Sequence, residues 1–334
     1  MGQGAYIFGC EGLRLKSDEK DFFKEAQPWG FILFARNVDT PDQLLQLCRD
    51  LRHSVGRDAP ILIDQEGGRV ERMRAPHWRQ WLPPIDQVRL AGTGAARSMW
   101  LRYCLIASEL QAVGIDCNCA PLADIATHET HAILANRCYG DGALAVTKIA
   151  REVADGMLFA GVLPVLKHMP GQGRAVSDSH DDLPVVGTSA TELKATDFAV
   201  FAGLADLPMA MTNHIVYSAL DDKPVTHSKQ LISLIREQIE FQGLLMTDDI
   251  SMQALQGTVA ERSERALQAG CDIVLHCNGF LSEMQAIAQA CGNMNSRAQD
   301  RAETALSLRS GCQDVDIPAL ETELADILGG SPYV

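Results

Sequence analysis

The chain has 334 residues, room for one large domain or two modest ones, and its 46% hydrophobic and 22% charged residues are the composition of a soluble globular protein whose core needs neither disulfide nor metal. A formal net charge of -14 argues against nucleic acid or an anionic membrane as partner, because both require basic surfaces. The ten cysteines are scattered, mostly in apolar runs, and read as buried free thiols suited to a reducing compartment.

The first twenty residues lack the basic start and long apolar stretch of a secretory signal, and position 6 is Tyr where a myristoylation pattern needs Ser or Thr. No apolar run approaches the length needed to span a bilayer, so a cytoplasmic protein is expected. Eight short apolar runs then follow one another: AYIFGC (5–10), GFILFA (30–35), ILIDQE (61–66), IDCNCAP (115–121), VLPVLKH (162–168), PMAMTNH (208–214), LLMTDD (244–249) and DIVLHC (272–277). Several lack polar alternation, as parallel strands buried on both faces do. Cys117 and Cys119 share a strand face, but no second pair at metal-ligand spacing accompanies them, so zinc is not implied.

Helical patterns separate most of these runs. Thr40-Pro41 opens one, with Leu44, Cys48 and Leu51 as its apolar face. Residues 93–113 carry Met99, Leu105, Ile106, Leu110 and Val113 at helical spacing before Gly114. Ser189 and Glu192 form a capping-box pattern ahead of Phe198, Phe201 and Leu204. Ser228 precedes Leu231, Ile232, Ile235 and Ile239, with a stop at Gly243, and residues 258–269 form another helix ended by Gly270. From about residue 280 the chain reads as helical to its end. Eight strand–helix units predict a single-domain closed (β/α)8 barrel over residues 1–334. Asp64, His168, His214 and Asp248 all fall at the C-terminal ends of strand runs, the face where such barrels build active sites.

Three blocks carry chemistry. In Asp64-Gln65-Glu66-Gly67-Gly68-Arg69-Val70-Glu71-Arg72 a strand ends in carboxylates and a glycine pair; an aspartate there can accept two hydroxyl hydrogen bonds, which suits a sugar. In Lys167-His168-Met169-Pro170-Gly171-Gln172-Gly173, followed by Asp178-Ser179-His180, a cation pair ends a buried strand and a sharp loop leads to Asp-x-His. A carboxylate on one imidazole nitrogen fixes the tautomer and makes the ring a general acid near neutral pH. In Thr247-Asp248-Asp249 two acids follow a buried strand; their side chains should diverge, one facing the barrel mouth and the other packing or capping. Arg137, in Asn136-Arg137-Cys138-Tyr139-Gly140, is open to either a ligand clamp or a surface ion pair.

Together, GFILFARN (30–37), DQEGGRVERM (64–73), NRCYG (136–140), KHMPGQG with DSH (167–180), MTNHIVY (211–217), TDDISM (247–252) and GCDIVLHCN (270–278) resemble glycoside hydrolase family 3, in particular its bacterial β-N-acetylhexosaminidases, over nearly the whole chain. The resemblance implies Asp248 as nucleophile, His180 as general acid/base with Asp178 as its dyad partner, Asp249 as a supporting acid, and Asp64, Arg72, Arg137, Lys167 and His168 as sugar-binding residues, with Arg72 on a helix after the glycine turn. It also implies a retaining hydrolysis of terminal β-linked N-acetylglucosamine, acting on anhydro-muropeptides of cell-wall recycling. No metal or organic cofactor is implied, the partner is a small sugar substrate, and a monomer is expected. The chain departs from the family pattern at Gln172, where His is common, at Arg174, where an acid is usual, and at Asn213, often Ala. These changes bear on the conformation of the loop that carries His180 and on leaving-group preference.

Three other readings compete. A histidine acid/base leaves the site less negative than a carboxylate would, so phosphate could replace water as acceptor. Lys167 at a strand end could form a Schiff base. A barrel that only binds sugar would have no need of both Asp248 and His180.

Overall fold

A computed structural model describes residues 2–176, 183–309, 315–331 and 333. Two of the candidate catalytic residues, Asp178 and His180, lie outside the described residues. All eight apolar runs form strands: β1 (Gly4–Phe8), β2 (Pro28–Leu33), β3 (Ile61–Ile63), β4 (Cys117–Asn118), β5 (Leu163–Met169), β6 (Met209–Thr212), β7 (Leu244–Asp249) and β8 (Ile273–His276). They pair in parallel in chain order, and β1 pairs with β8 through Tyr6–Val274 and Phe8–His276, which closes the barrel.

The two-residue repeat of a strand divides the apolar residues between two cores. Ile7, Ile32, Leu62, Val165, Met211, Met246 and Leu275 point inward and fill the barrel, while Phe8, Phe31, Ile63, Leu166, Ala210, Leu245 and Val274 pack outward against the helices. Ala302 and Ala305, on the helix Ser296–Ser307, join the inner group and plug the barrel from below. This plug is pinned by charge: Arg301 reaches Asp272, at the start of β8, at 2.7 Å, and Arg309 reaches Asp116, before β4, at 2.8 Å.

Local signals hold where they rest on caps. Thr40 Oγ1 accepts from Gln43 N at 3.3 Å ahead of the helix Pro41–Val55, and Ser228 Oγ accepts from Leu231 N at 3.0 Å ahead of Lys229–Glu237. The latter helix ends at Glu237 and does not run on to Gly243. Ser189 caps as expected, but the helix behind it breaks at Thr196 into Ala190–Ala195 and Asp197–Ala202, because Thr196 leaves the helical region (φ -120°, ψ -87°) and turns its hydroxyl onto Glu192 O and Asp197. The C-terminal part is helical over Leu281–Cys291, Ser296–Ser307 and Ile317–Leu328.

Two strands carry one extra residue where the site begins. β5 slips against β6 between Leu166–Ala210 and Met169–Thr212, and β7 slips against β8 between Met246–Ile273 and Asp249–Leu275. A bulge re-aims side chains that would otherwise alternate across the sheet. Lys167 and His168 therefore both face the mouth, as do Asp248 and Asp249.

Candidate active site

The mouth at the strand C-termini holds a cavity of about 240 Å3. Asp64, Arg72, Arg137, Lys167, His168 and Asp248 all line it, joined by Phe34, Arg69, Gln172, Asp249 and an apolar wall that includes Met211, Met252 and Cys277. Six of the eight residues singled out from the sequence thus meet in one hollow although the first and last of them, Asp64 and Asp248, lie 184 positions apart (248 − 64).

Its floor is an ion network. Lys167 Nζ lies 2.8 Å from Asp64 Oδ1 and 2.7 Å from Glu66 Oε1. Arg72 holds the other oxygen of Asp64 at 3.0 Å, and Arg137 grips Glu66 with two bonds of 2.9 and 2.8 Å. Burial opposes the ionised form of both acids, yet the cations outweigh it: Lys167 and Arg72 hold Asp64 well below the usual carboxylate range, and Arg137 and Lys167 bring Glu66 down to about 2. Burial would likewise lower Lys167, but Asp64 and Glu66 hold its ammonium above its ordinary value. With Asp64 and Glu66 both within 2.8 Å of Nζ, the amine is engaged in the ion network, which speaks against a Schiff-base role for this lysine. Arg137 is therefore a clamp on Glu66, and it carries its charge into the cavity rather than to an exposed surface.

Arg72 sits in a turn and not on a helix. The turn is templated by buried Gln65, whose side-chain oxygen accepts from the backbone N–H groups of Arg72 and Met73 at 2.8 and 3.1 Å while its amide donates to Met73 O at 2.8 Å. Phe34 packs its ring under the Arg72 guanidinium at 5.2 Å.

His168 is oriented by a residue the sequence did not single out. Asp124, fully buried, meets His168 Nδ1 at 2.8 Å and accepts the backbone N–H groups of His168 at 3.3 Å and Gln172 at 2.6 Å. A carboxylate only accepts, so Nδ1 carries the proton and Nε2 is the ring atom left for a ligand. Asp124 follows β4 in an irregular stretch with no motif, so only the fold brings it under His168.

Among the described residues Asp248 accepts one backbone bond, from Asp249 N at 2.8 Å. Its neighbour behaves differently. Asp249 accepts from Ser251 N at 3.1 Å, Ser251 Oγ at 2.7 Å and Cys277 N at 3.2 Å, so it shapes the turn after β7 although it too borders the cavity. His214 braces the same turn from behind: Nε2 donates to the carbonyl of Asp249 at 3.0 Å and Nδ1 lies 2.7 Å from the Thr226 hydroxyl. Burial lowers its pKa, consistent with a neutral ring whose two nitrogens are both used.

The departures from the family pattern have structural partners. Asn213 Nδ2 donates to the carbonyls of His168 and Gly171, each at 3.2 Å, and Tyr217 also donates to Gly171 O, fixing the start of the loop after β5. Arg174 is drawn away from the cavity to Asp197 at 2.7 Å and Glu192 at 2.9 Å. The main-chain N–H of Gln172 is held by Asp124 and the residue borders the cavity. The nine described cysteines are free thiols, and Cys277 in the cavity wall has its pKa pushed well up by burial and by the carboxylates of Asp249, Asp64 and Asp248.

A (β/α)8 barrel whose mouth gathers carboxylates, an imidazole and cations in one polar hollow suits a carbohydrate-active enzyme of the glycosidase class. The chain matches the Glycosyl hydrolase family 3 N terminal domain over residues 6–307 and belongs to that family. It is 37% identical to a β-hexosaminidase of Methylococcus capsulatus over 278 residues, covering 81% of this chain and 82% of that one. It is 32% identical to a β-hexosaminidase of Pseudomonas aeruginosa, covering 86% of each. The structure of NagZ from Neisseria gonorrhoeae in complex with N-trifluoroacetyl-D-glucosamine superposes with a TM-score of 0.87 at 26% identity, covering 98% of both chains. The chain is a family 3 glycosidase of the β-hexosaminidase group.

Proposed function

We propose that the chain releases terminal β-linked N-acetylglucosamine by a retaining double displacement. Asp248 attacks the anomeric carbon as the bond to the leaving oxygen breaks, and His180, oriented by Asp178, protonates that oxygen. Water, deprotonated by His180, then displaces Asp248 from the glycosyl ester, and two inversions give net retention. Asp64, Lys167, His168, Arg72 and Arg137 hold the sugar hydroxyls and fix the ring against Asp248. The observation that carries this reading is the shared cavity of Asp248 and the Asp64–Lys167–His168 cluster. The β-hexosaminidase relatives and the sugar bound in the gonococcal neighbour support it.

The natural substrate in this proposal is an N-acetylglucosaminyl anhydro-muropeptide, and the enzyme works as a cytoplasmic monomer in peptidoglycan recycling. No helix among the described residues is long and apolar enough to cross a membrane. The test is hydrolysis of a chromogenic β-N-acetylglucosaminide by the wild type, Asp248→Asn and His180→Ala, with and without phosphate. The wild type turns over without phosphate and Asp248→Asn loses at least about a thousandfold. His180→Ala loses much less on an activated leaving group than on a sugar. Near-normal turnover by Asp248→Asn contradicts the assignment.

A further inference from the structure

The cations of the cavity are not equivalent. Lys167, Arg72 and Arg137 are each bound to Asp64 or Glu66. Arg69 also lines the cavity but is exposed, and among the described residues no carboxylate lies within ion-pair distance of its guanidinium, whose one bond is to the carbonyl of Ile133 at 3.0 Å. A guanidinium has five N–H donors, so most of this one remains available to a ligand.

Its position is fixed by the backbone. Glu66 N and Gly67 N both donate to Val70 O, at 2.9 and 3.0 Å, and Gly68 N donates to Trp81 O at 3.0 Å, so Arg69 stands at the tip of a closed turn. Gly67 and Gly68 adopt φ of +94° and +62°, and a Cβ at Gly68 would meet the Pro83 backbone at 2.8 Å. A side chain at Gly68 would force this turn to shift, and the bond to Ile133 holds the Arg69 side chain at the rim. The protein's overall charge repels anions at long range, but screening over about 8 Å at physiological salt leaves a rim guanidinium to act locally.

We propose that Arg69 is a specificity residue that binds a carboxylate on the leaving group, making anionic aglycones the preferred substrates. The inference rests on the β-N-acetylglucosaminidase reading above and adds to it the charge of the aglycone. Hydrogen bonds between a guanidinium and a carboxylate are the strong, directional kind, and a partly solvated rim reduces but does not abolish them.

The test compares 3- and 4-carboxyphenyl β-N-acetylglucosaminides with their methyl esters at pH 7, using the wild type, Arg69→Gln and Arg69→Lys. The readout is the acid-to-ester ratio of kcat/KM in the variant divided by that in the wild type, which cancels leaving-group acidity and any general loss of activity. The ratio falls roughly three- to tenfold in Arg69→Gln for at least one isomer, and Arg69→Lys keeps part of it. A double ratio of one for both isomers, with all four substrates turned over, overturns the inference and leaves the glycosidase reading standing. No turnover of any of the four by the wild type overturns that reading and this inference with it.

Discussion

His168 Nδ1 and the carboxylate of Asp124 lie 2.8 Å apart, the one group 5% exposed and the other fully buried. The pair joins β5 to the segment after β4, and it determines which imidazole nitrogen is left facing the cavity. Asp124→Asn keeps the shape but offers an amide where three donors now find a carboxylate. We expect kcat/KM to fall about ten- to a hundredfold through loss of orientation. Stability should fall by about 1–3 kcal/mol, as buried donors lose their charged acceptor. Steady-state kinetics and urea denaturation check both. Unchanged kinetics would mean that His168 orientation is set elsewhere.

Lys167→Met tests the ion network. Removing one partner of a buried charge cluster costs about 3–5 kcal/mol, so a large drop in the denaturation midpoint is expected together with loss of sugar binding. The acid limb carries a second signature. Glu66 titrates at about 2 in the folded protein against an ordinary 4.5, so its contribution, on the order of 3 kcal/mol, is fully present above pH 4.5 and is lost as pH falls through 2. Without Lys167, only Arg137 still holds it down, and the acid-unfolding midpoint moves to higher pH. A midpoint that stays in place would show that Arg137 alone suffices.

Asn213→Ala substitutes the residue the family often has. In this chain it leaves the carbonyl of His168 and the N–H of Ile215 without their side-chain partner, while Gly171 keeps Tyr217. A loss of about 1–2 kcal/mol is expected in denaturant titration. It should be accompanied by a change in kcat, because the loop after Gly171 leads to His180. A variant as stable as the wild type would mean that water replaces the amide.

The barrel was legible because its signals are local and repeated: eight apolar runs of strand length, and caps such as Thr40 and Ser228 whose oxygens bond within three residues. Asp64, Lys167, His168 and Asp248 could be named because they lie at the ends of those runs, and Arg72, Arg137, Asp178 and His180 only through the loop motifs and the family resemblance. What the sequence did not reveal is pairing across the barrel. Glu66 stands in plain view in the DQEGG block, yet its role is set by Arg137, 71 positions away, and Asp124 belongs to no motif at all. The division of labour expected of Asp248 and Asp249 is seen, with Asp249 capping the turn through Ser251 and Cys277, but the extra residue in β7 leaves both acids bordering the cavity, which strict alternation would not have done. Arg72 was expected on a helix from the family resemblance, whereas it stands in an irregular turn held by the Gln65 side chain.

The role of Asp248 can be read most directly by trapping. Incubation with 2-acetamido-2-deoxy-5-fluoro-β-D-glucosyl fluoride, followed by proteolysis and mass spectrometry, should give one sugar per chain attached to Asp248. Label on Asp249 or Asp64, or steady turnover of the reagent with no label on residues 244–252, would contradict the account.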